Sequence, residues 1–363
     1  MDHPHPPDAF AELRFYSAHF MDLALWRPFV RQVAVRHGFA IRGILPGFPG
    51  TYPTFIAELD HLPGQPGLDT IVIKFFGQLF DGQNSFHIER AMGHYLAQHP
   101  MNIGSPAILA EGQLTPQWSY LIFEHVPGVS IGQVRSSLSM REMEAVARQM
   151  GRFMQQLHLL TATSLPIIPQ LSMSWSAYAD FLETQTANCW LNHQRWRDLP
   201  PQLLKLLPKF IPPVDQLLDF SSSPHIIHAD LTADHLLGRL SPPLPAFNIQ
   251  AEESAVPATS SNEEKEGASA EWESLAIIDW GDSQVGNILY ELVGLHLDLF
   301  QGDKHLLRLC LETYELPAFY QPDFARKALS MVLLHQFPMP ARIYAPHQQV
   351  TTLEELSECL FGL

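Results

Sequence analysis

Two short apolar runs, each closed by an aspartate, constrain this chain most. The first is Ile226-Ile227-His228-Ala229-Asp230-Leu231-Thr232-Ala233-Asp234-His235-Leu236-Leu237, and the second is Ile277-Ile278-Asp279-Trp280-Gly281-Asp282. Short apolar runs bounded by turn residues read as buried strands. These two read as strand ends that deliver acidic residues to one point, although they lie far apart in the sequence.

Bulk properties narrow the classes of function. A length of 363 residues suffices for one large domain or two lobes. The net charge of −16 argues against a nucleic-acid backbone as main partner, because that role needs clustered lysine and arginine. Such a charge suits a cationic substrate, although solubility alone also accounts for surface acid. Seven glutamates and one lysine in residues 251–274 supply −6 of it, leaving −10 for the remainder. Three cysteines, Cys189, Cys310 and Cys359, form no CxxC pair and point to a reducing, cytoplasmic setting. The N-terminus has neither a basic start nor an apolar core, so no signal peptide is expected, and no apolar run suggests a membrane span.

Along the chain, residues 1–9 read as disordered and residues 10–37 as one or two helices. Residues 41–76 are β-rich and punctuated by Pro-Gly pairs. A helix is expected at 84–98, then strands at 104–109 and 118–124. Further helices are expected at about 140–160, 174–193, 200–219, 288–301, 303–313 and 323–337. The expected fold is α+β with two lobes: an N-terminal tail and helices at 1–37, a β-rich N-lobe at 38–125, and a mainly helical C-lobe at 126–363. Residues 240–274, rich in Pro, Ser, Ala and Glu, read as a disordered excursion replacing a hairpin turn. Its length costs little, because loop entropy grows only logarithmically.

The spacing around the two aspartates carries the chemistry. His228-x-Asp230-x-x-x-x-His235 departs only at its last residue from H-x-D-x-x-x-x-N, which with a downstream D-x-G forms the catalytic and metal loops of phosphoryl-transfer enzymes. In that layout Asp230 accepts the proton of a substrate hydroxyl, and His228 holds the loop beside it. The bland readings are a turn-capping aspartate and a satisfied structural histidine. Asp279 would bind magnesium bridging nucleotide phosphates, since a hard cation needs a carboxylate. His235 would reach that ion directly, act through water, or brace the loop. Asp282 is a weaker candidate for the same ion.

Lys74 interrupts the strand Thr70-Ile71-Val72-Ile73-Lys74-Phe75-Phe76, and Glu89 follows on the next helix; together they would address the nucleotide's α- and β-phosphates. Alone, a strand lysine is usually on the wet face. Gly47-Phe48-Pro49-Gly50-Thr51 reads as a phosphate-covering turn or as a plain hairpin. Glu124-His125-Val126 would link the lobes and offer backbone groups to adenine.

With these residues in place, the chain resembles the aminoglycoside phosphotransferase family, which has a protein-kinase-like fold. The segments that carry the resemblance are Ile71-Val72-Ile73-Lys74, Ile122-Phe123-Glu124-His125-Val126-Pro127-Gly128, Gly151-Arg152-Phe153-Met154-Gln155-Gln156-Leu157-His158, His228 to His235, and Ile277 to Gly286. The resemblance implies ATP or GTP with magnesium, a small-molecule hydroxyl as acceptor, Asp230 as base, Asp279 as metal ligand, and Lys74 with Glu89 on the phosphates. Three departures stand out: His235 in place of asparagine, Asn287 in place of aspartate, and the long 240–274 excursion. Two other functions compete. One is a kinase-like binding module that no longer transfers phosphate, favoured by His235. The other is a two-His-one-carboxylate iron site built from His228, Asp230 and His296.

Overall fold

Alternation of apolar residues builds the first half of the molecule. The computed structural model describes residues 19–48, 50–60, 68–160, 168–241, 271–315 and 322–363. Five strands form an antiparallel sheet: β1 (Ile41–Pro46), β2 (Thr54–Leu59), β3 (Thr70–Phe76), β4 (Ile108–Thr115) and β5 (Trp118–Glu124), in the order β1-β2-β3-β5-β4. Because successive side chains on a strand face opposite ways, β3 has two characters. Ile71, Ile73 and Phe75 join Phe55, Ala57, Tyr120 and Ile122 in a core on one face. Helix α1 (Leu23–Arg36) closes that core with Trp26, Phe29, Val30, Val33 and Ala34, a helical stripe. Val72, Lys74 and Phe76 therefore take the other face, where Phe76 packs with Tyr52, Phe86, Leu121 and Phe123. Helix α2 (Gly82–Leu96) lies over this second face.

The second half is mainly helical. Its helices are α3 (Met140–Leu159), α4 (Trp175–Trp196), α5 (Ile288–Gly294), α6 (Lys304–Tyr314), α7 (Phe324–Leu333) and α8 (Leu353–Phe361), with shorter turns between. Two small sheets are set among them. Strand β7 (His225–Ile227) pairs with β10 (Gln284–Gly286), and β8 (Leu236–Ser241) pairs with β6 (Val129–Ser130) and β9 (Glu271–Ile277). The expected α+β arrangement, β-rich first and helical afterwards, is what the structure has. Among the described residues no helix is long and apolar enough to cross a membrane.

Several expected boundaries shift for identifiable reasons. Residues 200–219 do not form one helix. They make three one-turn segments, because Pro201, Pro208, Pro212 and Pro213 lack the N–H that a continuous helix requires. Only Ile108 onward of 104–109 is strand; Gly104 makes a single parallel bridge to Ala276. The excursion is shorter at both ends than its composition suggested. Leu240 pairs with Trp272, and Arg239 meets Glu273 at 2.7 Å, so the hairpin continues to Ser241 and Glu271. The expectations for 1–9 and for 242–270 lie outside the described residues. Helix α8 was not anticipated, although Thr352 and Glu355 form the capping box that announces it.

Close approach of α3 and α6 depends on Gly151. A β-carbon there would stand 2.4 Å from the Cys310 carbonyl oxygen and 2.8 Å from Thr313 Cβ. Overpacking costs about 1–3 kcal/mol, which outweighs the roughly 1 kcal/mol a helical alanine gains over glycine. Gly151→Ala is therefore expected to lower the midpoint of chemical denaturation; an unchanged or higher midpoint contradicts this packing.

A second tie joins α4 to the end of α7. His193 Nδ1 meets Asp198 Oδ1 at 2.8 Å, and Nε2 meets the Leu333 carbonyl at 2.9 Å. Both partners are acceptors, so both ring nitrogens donate and the ring is an imidazolium. Burial works against that charge, but the Asp198 carboxylate outweighs it and lifts the ring to about 10. Stability from this pair is complete below the ordinary imidazole range and fades as pH rises through about 10. Denaturation from pH 6 to 10.5 should show the advantage over His193→Gln shrinking with alkali; a constant difference excludes the charged pair.

Candidate active site

Three charged side chains meet where the large sheet faces the helical half. Lys74 Nζ lies 2.7 Å from Glu89 Oε2 and 2.6 Å from Asp279 Oδ1. Alternation on β3 turns Lys74 inward, and α2 presents Glu89 15 residues later. Burial alone would strip the Lys74 proton, but Asp279 and Glu89 outweigh it and the ammonium is held more firmly than usual. Burial likewise opposes the Asp279 carboxylate, yet Lys74 and His235 hold it well below the usual carboxylate range. Glu89 goes the other way: burial and the second carboxylate leave it at about 7 despite Lys74. One ammonium between a buried acid and a half-buried one favours Asp279, which His235 also faces.

Asp279 reaches this point because of strand register. Leu236 pairs with Ile277, so the residues just outside that pair, His235 and Ile278, also meet: Ile278 N–H donates to the His235 carbonyl at 3.0 Å. The chain then turns through Asp279 with a φ of 65°. Asp279 Oδ1 is on Lys74, and Oδ2 faces His235 Nε2 at 3.6 Å. With 27% of its side chain exposed, Asp279 opens to the cleft beside it.

The loop after β7 is fixed by hydrogen bonds on every side. His228 Nε2 donates to the Ile278 carbonyl at 2.9 Å, and its Nδ1 accepts the Asp230 N–H at 3.3 Å. One neutral ring thus joins the two acidic loops; burial drives its pKa down to about 3. Glu291 accepts the N–H groups of His228 at 3.1 Å and Ala229 at 2.7 Å. The Ala229 carbonyl accepts from His335 Nε2 at 3.2 Å. These bonds hold Ala229 at a φ of 68°, a left-handed conformation that costs a non-glycine residue energy. Asp230 emerges from this turn. Burial, reinforced by Asp282, Asp279 and Asp298, pushes its carboxyl up to about 7 even against the nearby His235.

The cleft between sheet and loops measures ≈ 380 Å³. Gly47, Gly50, Lys74, Glu89, Glu124, Val126, His235 and Asp279 all line it, together with apolar Ile56, Val72, Phe123 and Leu237. Gly47 is close-packed: its N–H donates to the Thr54 carbonyl at 2.8 Å, and a β-carbon there would strike the same oxygen. Gly50 is open, and Pro49 lies outside the described residues. Glu124 is exposed; its N–H is taken by the Ala107 carbonyl at 2.9 Å. His228 and Asp230 are not on this wall. His235 stands between, with Nδ1 3.7 Å from Asp230 Oδ2.

His228 has both ring nitrogens engaged by backbone groups of the two acidic loops. The iron-site alternative is not assembled. His296 is buried with Nε2 on the Leu360 carbonyl at 2.8 Å, and no group of three or more candidate ligands that could hold a metal occurs among the described residues. Asn287 caps α5 by accepting the Leu289 N–H at 2.7 Å. The sequence reading missed Glu291, Asp298, which accepts the Ala233 N–H at 2.9 Å, and Gln336, which donates to Asp282 at 3.1 Å. Glu291 carried the same signal as Lys74, a lone charge within an apolar run.

A β-rich half carrying a buried Lys–Glu pair, and a helical half carrying two acidic loops, define a two-lobed, protein-kinase-like fold. Residues 67–243 match the family described as the Phosphotransferase enzyme family (APH), so the resemblance to the aminoglycoside phosphotransferase family holds. The GDP complex of wild-type aminoglycoside 2'-phosphotransferase-IIIa is similar in fold, with a TM-score of 0.57 at 15% identity over 92% of this chain and 96% of that one. Macrolide 2'-phosphotransferase MphH from Brachybacterium faecium gives 0.53 at 15% identity, covering 92% and 96%. Lysine-specific demethylase JMJ21 of Arabidopsis thaliana is 25% identical over 240 residues, which are 60% of this chain and 23% of that protein. This chain thus spans about a quarter of that relative's length.

Removing one partner from a buried ion pair costs about 3–5 kcal/mol, whereas neutralising an acid whose charge burial already disfavours, while keeping a hydrogen-bond acceptor, costs at most the roughly 1.5–3 kcal/mol of one charged hydrogen bond. Lys74→Met is thus expected to destabilise the free protein far more than Glu89→Gln in chemical denaturation. Equal losses would contradict the unequal sharing of the ammonium.

Proposed function

We propose that this chain moves the terminal phosphoryl group of a nucleoside triphosphate, ATP or GTP, to a hydroxyl of a small molecule. The observation that carries the reading is the Lys74–Asp279 pair on the cleft wall, with Asp230 just behind His235, whose ring is 3.6 Å from Asp279 and 3.7 Å from Asp230. A hard divalent cation such as magnesium needs only one or two protein carboxylates when phosphates complete its shell. Asp279 suits that need: it stays anionic beside the cleft, with Oδ1 on Lys74 and Oδ2 facing His235. When bound, the cation would neutralise charge on the phosphates.

The chain's own residues do the rest. Lys74 is positioned to exchange its Asp279 contact for phosphate oxygens while Glu89 keeps it in place. The apolar wall at Ile56, Val72, Phe123 and Leu237 suits a purine, and the backbone at Glu124–Val126 suits its edge. The Gly47–Thr51 turn would cover the phosphates. Asp230, raised to about 7, is matched to taking a hydroxyl proton near neutral pH. His228 and Glu291 hold that carboxylate in place. The nucleotide side then lies within 38–125 and the acceptor side within 126–363. Asp282 and Asp230 give the acceptor side an acidic rim, which suits a polar or cationic compound, aminoglycoside-like or otherwise.

A second reading, a kinase-like module that binds nucleotide without transfer, is favoured by His235, whose ring fills the place beside Asp279. Both readings require nucleotide to raise the melting temperature by mass action; only the first requires turnover. Asp230→Asn should lower turnover on the order of 10²–10⁴-fold with nucleotide binding kept. Asp279→Asn should abolish cation-dependent nucleotide binding. Transfer unaffected by either substitution rules out the proposed roles.

A further inference from the structure

His235 is the sharpest departure from the motif, and its surroundings indicate what it selects. Its Nδ1 lies 2.6 Å from the Asp230 carbonyl oxygen. A carbonyl only accepts, so Nδ1 carries a hydrogen, and Nε2 is the ring atom left to ligate a cation, which would displace any proton there. Nε2 is the atom that faces Asp279 Oδ2, at 3.6 Å. The ring is not free to turn away. His235 N–H donates to the Thr232 carbonyl at 3.2 Å, its carbonyl accepts from Ile278, and only 16% of the side chain is exposed. Lys74 holds the other oxygen of Asp279, so Oδ2 and Nε2 are the pair of donors presented together.

That pair differs in kind from a carboxylate beside an amide. An amide offers oxygen, which suits magnesium; imidazole offers nitrogen, which first-row transition ions accept far more readily. We propose that His235 Nε2 and Asp279 Oδ2 form a mixed nitrogen–oxygen pair that selects a first-row transition cation, manganese in the first instance, over magnesium as the counter-ion of the bound nucleotide. The inference rests on the proposed nucleotide site.

Spin-echo spectroscopy of manganese bound with ADP to the full-length chain tests it, because a ligated imidazole nitrogen modulates the echo. Competition with magnesium gives the preference ratio. The unaltered chain should show nitrogen modulation. His235→Asn should lose it, and its manganese-over-magnesium ratio should fall roughly tenfold, the scale on which groups around a metal tune its affinity. Manganese and ADP bound without nitrogen modulation, or an equal ratio in both chains, overturns the selection and leaves the nucleotide site standing. If neither cation promotes ADP binding to the unaltered chain, the nucleotide reading and this inference fall together.

Discussion

The buried Lys74 ammonium, shared between Glu89 and Asp279, is the interaction on which the rest of this structure depends. It ties the central strand of the large sheet to helix α2 and to the loop that follows β9. Three charges taken out of water are costly, and replacing such a group with apolar side chains is often neutral or favourable to stability. A structural purpose alone is therefore a poor explanation. A site that must hold a poised ammonium beside a poised carboxylate explains it better, since both are held charged against burial.

The helical half answers with rigidity of the backbone. Ala229 and Asp279 both adopt left-handed φ values, 68° and 65°, each at an acidic loop. Such conformations persist only where surrounding bonds over-determine them. Here Glu291, His335 and His228 supply those bonds, and His228 spans both loops with one neutral ring. The cleft holds Lys74 and Asp279, and Asp230 lies behind His235.

Much of this was legible in the residues. The two Asp-ended apolar runs, and a lysine interrupting an apolar strand with a glutamate on the next helix, announced both halves of the site. Their convergence follows from the Leu236–Ile277 register, which a sequence does not display. Glu291 carried a lone-charge signal within an apolar run, but its partners, backbone N–H groups 62 and 63 residues away, follow no spacing rule. The multiple prolines at 201–213 were visible but were overruled by apolar periodicity. The hairpin extending to Ser241 and Glu271 was hidden because its outer part is mostly polar, with Leu240–Trp272 as the apolar pair between Arg239–Glu273 and Ser241–Glu271.

The central claim is that Lys74 and Asp279 are a parted pair in waiting, one for phosphate and one for a cation. A structure determined with a nucleoside diphosphate and a divalent cation tests it most directly. The account predicts the cation on Asp279 Oδ2 at about 2.0–2.6 Å, the range for hard divalent ions, with Lys74 Nζ moved onto a phosphate oxygen and still held by Glu89. A nucleotide seated outside this cleft, or one bound within it while Lys74 keeps its contact with Asp279 and no cation joins them, would contradict it.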